Sequence, residues 1–154
     1  MTYTDFRLLP DGHPETGMQP SDFTPVDAFT TNDTREVNHS FYVSDDEAIL
    51  AGVWECAPCR EKIAAYPVNE MMTVLSGSVT LTHADGRTET FVAGDTFFIA
   101  KGTSCVWEIT QTLKKYYMIA AYLNLVMGLS VRCRLHGDDT LLSNARTKFL
   151  RMMG

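Results

Sequence analysis

The chain has 154 residues, 45% of them hydrophobic and 21% charged, enough for one well-buried core and too few for two ordinary domains. Its net charge of -6 excludes a general nucleic-acid surface, which needs a basic face, and suits a binder of small molecules. The opening residues Met1 to Asp5 lack a basic segment leading into an apolar one, so the four cysteines are expected as reduced thiols in a cytoplasmic protein.

Residues 1–40 read as an extended arm. Pro10, Pro14, Pro20 and Pro25 deny it a long helix, and Pro10-Asp11-Gly12 is a turn. Phe23, Val26 and Phe29 are its spaced apolar anchors. Two readings stay open: a loose terminus, or a strand lent to a second copy to cover a sheet edge, giving a homodimer.

Residues 41–122 read as short strands punctuated by turns. Phe41 to Val43 is the first, and Ala48 to Cys56 the second, with Trp54 as a large anchor. In Arg60 to Tyr66, alternation places Lys62, Ala64 and Tyr66 on one face. Met72 to Leu75 and Ser78 to Thr82 follow as two strands broken at Ser76-Gly77. Asp85-Gly86 marks a hairpin, then Thr88 to Val92 and Thr96 to Ala100 are the next strands. Thr103 to Ile119 gives two more, with a turn or bulge near Gln111-Thr112 and with Cys105, Trp107 and Ile109 on one face. Such spacing predicts an antiparallel barrel or sandwich.

Residues 123–154 form a tail of different character. Up to Tyr122 the chain holds 17 of its 19 acidic and 8 of its 13 basic residues, so the tail is net basic. Asp138-Asp139-Thr140 suits the start of a helix whose apolar positions are Leu142, Ala145, Phe149, Met152 and Met153. Arg146, Lys148 and Arg151 suit its end. A helix packed outside the barrel and a poorly ordered tail both remain open. The uncharged run Tyr116 to Val131 is shorter than the ~20 residues that cross a bilayer, so no membrane span is expected.

Cys56-Ala57-Pro58-Cys59 has the spacing of a redox or zinc pair. A reactive pair of this kind should open a helix, whereas strand patterns flank this one, and no second ligand pair stands at close spacing. Two small residues at a strand junction is the expected role.

The stretch from Tyr66 to Trp107 resembles the cupin superfamily. Its first motif, Gly-x5-His-x-His-x3/4-Glu-x6-Gly, ends as Glu70-x6-Gly77 does here, and its second begins as Gly94-x5-Ala100-x-Gly102 does. Gly52-Val53-Trp54-Glu55, Tyr66-Pro67, Glu70, Trp107-Glu108 and Lys115-Tyr116-Tyr117 resemble one subgroup, which includes relatives of ureidoglycine aminohydrolase and of an ethanolamine-utilisation cupin. The resemblance implies an all-β fold: a single cupin (RmlC-like) double-stranded β-helix, or jelly-roll barrel. The N-terminal arm precedes it, and one reading of the tail adds a C-terminal helix.

The same resemblance implies where a metal would be held. The family's three histidine positions fall on Ala64, Tyr66 and Cys105, and its glutamate on Glu70. None of His13, His39, His83 and His136 stands in such a slot, so neither a metal nor another cofactor is expected. Lys62, Tyr66, Glu70, Cys105 and Trp107 are the expected lining of a pocket for a small polar metabolite, with core packing as the bland account of the same residues. An enzyme of ureidoglycine aminohydrolase-like, metal-dependent chemistry on a small nitrogen compound is the alternative.

Overall fold

The computed structural model describes residues 5–121. The helix expected in the tail therefore lies outside the described residues. Among the described residues eight strands run β1 (Gln19–Pro20), β2 (Glu36–Val43), β3 (Ile49–Cys56), β4 (Cys59–Ile63), β5 (Asn69–His83), β6 (Thr88–Val92), β7 (Thr96–Ile99) and β8 (Cys105–Ala120). One 3-10 turn, Val26–Ala28, interrupts the arm. Among the described residues no helix is long and apolar enough to cross a membrane.

Two long strands, β5 and β8, organise the barrel. They pair antiparallel along nearly their whole lengths, from Asn69 opposite Ala120 to His83 opposite Cys105. Each serves two short neighbours in turn. The first half of β5 pairs β7 and its second half pairs β6, while the first half of β8 pairs β4 and its second half pairs β3. β2 and then β1 extend the sheet beyond β3. Bending both long strands near their middles folds this ladder over a single core, the cupin barrel expected from the motifs.

The bend explains why two strands were expected where β5 is one. Glu70, Met72 and Val74 are buried at even positions, then Val79 and Leu81 at odd ones. An extra residue must enter the strand between them, because a plain ladder keeps alternate residues on one face. The pairing with β8 shifts at Val74/Ser76 and again on either side of Ser78. Gly77 sits in this bulge with φ 73, and a β-carbon there would meet the Thr112 carbonyl oxygen at 2.1 Å. Glycine bends the strand here without ending it. β8 is likewise one strand, curved at the exposed Thr110, Gln111 and Thr112, and its odd residues Cys105, Trp107, Ile109, Leu113, Lys115, Tyr117 and Ile119 all face inward.

The remaining elements depart from expectation in two places. β2 begins at Glu36 and so crosses the expected boundary between arm and barrel. β4 ends at Ile63, three residues before the strand was expected to stop. The arm packs on its own barrel. Phe23 and Phe29 rest against the core, Phe29 bridges to Cys59, and β1 pairs with Val37 and Asn38. Only Val26 of the three anchors points out, at 82% exposure.

Candidate functional site

The site forms where β4, β5 and β8 open towards the arm. Glu70, at the start of β5, takes an inward position that alternation assigns to the core. Burial of an ionised carboxylate requires donors on both oxygens. Glu70 has them: the Tyr66 hydroxyl donates to Oε2 at 2.5 Å, and Lys115 Nζ donates to Oε1 at 2.7 Å. Glu70 and Lys115 are each only 5% exposed.

Lys115 comes from β8, in the apolar row of Leu113, Tyr117 and Ile119. Its ammonium sits between two indoles, 4.9 Å from the Trp54 ring centre and 5.1 Å from that of Trp107, and contacts Met72 Sδ at 2.9 Å. Both rings present their electron-rich faces to the charge. Tyr66 lies in the loop after β4, held by its amide to the Thr103 carbonyl and by its carbonyl to the Gly102 amide, each at 2.8 Å. Burial, and then the negative Glu70, push the Tyr66 phenol well above its usual range, so it stays protonated and serves as a donor.

A second buried carboxylate ties the arm to this cluster. Glu36 accepts the Trp54 indole N–H at 2.7 Å and the backbone N–H groups of Phe23 at 3.2 Å and Thr24 at 2.9 Å. Glu36 thus fixes the same ring that flanks Lys115, and it holds Phe23 and Thr24 over the cluster. Between them lies a partly open cavity of about 110 Å³. Its walls are mostly apolar and aromatic, including Phe23, Trp54, Ile63, Tyr66, Trp107, Tyr117 and Ile119, with Glu61, Glu70 and Lys115 as charged members.

Of the five residues expected in the pocket, the structure brings Tyr66, Glu70 and Trp107 together there. Lys62 is a correction. In β4 the inward positions are Cys59, Glu61 and Ile63, so Lys62 is exposed, and Tyr66 reaches the cavity from a loop instead of along a strand face. Cys105 is a correction as well: it is buried near Tyr66 but does not line the cavity, and burial raises its thiol pKa. Lys115, Trp54 and Glu36 are the members that the sequence reading missed. Lys115 had a signal in its place among alternating apolar residues.

The donor set does not fit a metal ion. Ala64 has no donor atom, the Tyr66 phenol keeps its proton, and both Glu70 oxygens already accept hydrogen bonds. Among the described residues no group of three or more His, Cys, Asp or Glu stands close enough to hold one. Cys56 and Cys59 are buried at the β3–β4 junction, where neighbouring Cys59 and burial push the Cys56 thiol far up, opposite to what a reactive thiolate needs.

Residues 43–117 match the family model of the EutQ-like cupin domain. This stretch is a EutQ-like cupin domain. A solved structure agrees on the fold. A protein of unknown function of the DUF861 family from Pseudomonas syringae pv. tomato superposes with a TM-score of 0.62 at 22% identity, over 71% of this chain and 46% of its own. The chain thus spans less than half of that relative's length. The putative ethanolamine utilization protein EutQ of Salmonella typhimurium is 21% identical over 56% of this chain and 69% of its own, with a TM-score of 0.44. The EutQ protein of Clostridium difficile is 17% identical over 62% of this chain and 76% of its own, also with a TM-score of 0.44. No curated protein matches the chain. The barrel fold is shared with the DUF861-family protein, and the Glu70–Lys115 pair is an observation on this chain.

Proposed function

We propose that this EutQ-like cupin binds a small metabolite in the mouth of its barrel without a metal. The observation that carries this reading is the buried Glu70–Lys115 pair on the wall of an aromatic cavity. Removing two charges from water is costly, and a well-packed apolar pair of similar volume is often at least as stable. A charged pair facing a cavity is better accounted for by a ligand that meets it. The apolar rings would grip the ligand's body and the charged cluster would orient its polar end. The aminohydrolase-like alternative lacks comparable support, because it needs a metal that this donor set does not fit.

The reading extends to a homodimer in a reducing, cytoplasmic setting. The buried thiols of Cys56, Cys59 and Cys105 suit that compartment. Phe98, Met71 and Met118 stand side by side on the outer sheet face, which suits a second copy.

Binding is tested by thermal melting against a panel of small carboxylates, amines, amides and carbonyl compounds. Compounds that raise the melting temperature are then retested on Ile63→Trp, which fills the cavity and spares the ion pair. Stabilisation of the wild type alone is the expected result. Equal stabilisation of both proteins, or none across the panel, would remove the cavity as a binding site.

A further inference from the structure

We propose that Lys115 is an imine-forming lysine, and that the cavity takes small aldehydes and ketones as reversible covalent ligands. This inference rests on the small-molecule reading above and names its ligand class. Among the described lysines, Lys62 and Lys101 are exposed and Lys114 is half-buried, whereas Lys115 is buried and lines the cavity. Around its Nζ stand Glu70 Oε1 at 2.7 Å, Met72 Sδ at 2.9 Å and two indole faces. Glu70 is the one strong proton acceptor in that set. Nζ and Oε1 lie within hydrogen-bond distance, so the carboxylate is placed to take a proton from the lysine as attack begins. A desolvated lysine amine is the usual nucleophile towards carbonyl carbon.

The geometry supplies each proton that the reaction needs. After Glu70 takes a proton, the neutral amine attacks the carbonyl carbon, a C–N bond forms and the carbonyl π pair moves to oxygen. That oxygen takes the proton from Glu70, and the nitrogen returns one to it, leaving a neutral carbinolamine. Glu70 then protonates the hydroxyl, water leaves, and the nitrogen lone pair closes the C=N bond. The product is an iminium beside a carboxylate, so the ion pair of the resting state is restored with water as the by-product. No oxidant or reductant enters. Tyr66, donating to Oε2, holds the carboxyl so that Oε1 faces Nζ. The rings of Phe23, Trp107 and Tyr117 suit an apolar chain or ring on the carbonyl carbon.

The test traps the imine in the full-length protein. Propanal or benzaldehyde is added at neutral pH with cyanoborohydride, which reduces an iminium to a stable secondary amine, and each lysine peptide is quantified by mass spectrometry. Lys115 should be modified faster than Lys62 and Lys101 by about tenfold or more, the advantage expected of a desolvated amine with an adjacent base. Lys115→Arg, which keeps the charge, should lose that adduct and keep the slow surface labelling. Modification of Lys115 no faster than Lys62 and Lys101, with both aldehydes, would overturn the proposal. Benzyl alcohol, matched in shape to benzaldehyde but unable to form an imine, separates the two readings. Stabilisation by benzyl alcohol without a Lys115 adduct would sink the imine chemistry and leave binding standing; neither effect would sink both.

Discussion

At the scale of single residues, the ion pair of Glu70 and Lys115 makes the sharpest claim. Glu70→Gln leaves the Lys115 ammonium uncompensated and should cost about 3–5 kcal/mol in denaturant unfolding, and Lys115→Met should do the same to Glu70. The double variant Glu70→Leu/Lys115→Met removes both charges and should recover most of that loss. Additive losses in the double variant would mean that the two groups are not coupled. Tyr66 adds a pH dependence. Its folded pKa lies above its unfolded value near 10, so its contribution is present below pH 10 and is lost as pH rises further. Tyr66→Phe should therefore flatten the alkaline fall in stability, although Tyr117, raised in the same direction, will keep part of it. An alkaline profile unchanged by Tyr66→Phe would contradict the assignment. Glu70 and Tyr66 were within reach of sequence reasoning because they occupy motif positions. Lys115 was not placed in the site, since nothing local shows that the row of Leu113, Tyr117 and Ile119 continues the face of Trp107 across an exposed bend.

At the scale of elements, the hairpin at Asp85-Gly86, β6 and β7 could be read directly, because turn chemistry and alternation there depend only on near neighbours. The long strands could not. Their continuity depends on pairing across the barrel, where Ser78 faces Gln111 and the β5 bulge lies against Thr112. Glycine in a run of alternating residues is also an ordinary sign of a turn, and only the partner strand shows that Gly77 is a bulge. Gly77→Ala should test this. A non-glycine residue in that conformation costs about 1–3 kcal/mol, and displacing the Thr112 carbonyl would add to it. Denaturant unfolding should show a loss at the upper end of that range or beyond. A loss under about 0.5 kcal/mol, usual for a substitution at an undemanding site, would mean that the strand relaxes freely around the bulge.

At the scale of the whole molecule, the arm lies on its own barrel, whereas part of the outer sheet face stays exposed. Phe23 and Phe29 cover the chain's own barrel, and Glu36 locks Phe23 and Thr24 there through their backbone amides. The arm therefore has little apolar surface to lend a second copy. The outer face has more: Phe98 is 62% exposed, it pairs in register with Met71, Met71 pairs with Met118, and Met118 with Ala51 beside Tyr42. This row crosses five strands, and an apolar row of that kind can meet its own copy about a two-fold axis. Two substitutions in the full chain separate the sources of pairing. Phe98→Lys places a charge within the row and should turn a dimer into a monomer by light scattering, with the melting temperature of the monomer little changed. Glu36→Gln should speed hydrogen exchange at the Phe23 and Thr24 amides while leaving the dimer intact. Dissociation by Glu36→Gln but not by Phe98→Lys would return the interface to the arm, and a monomeric wild type would end the pairing proposal altogether.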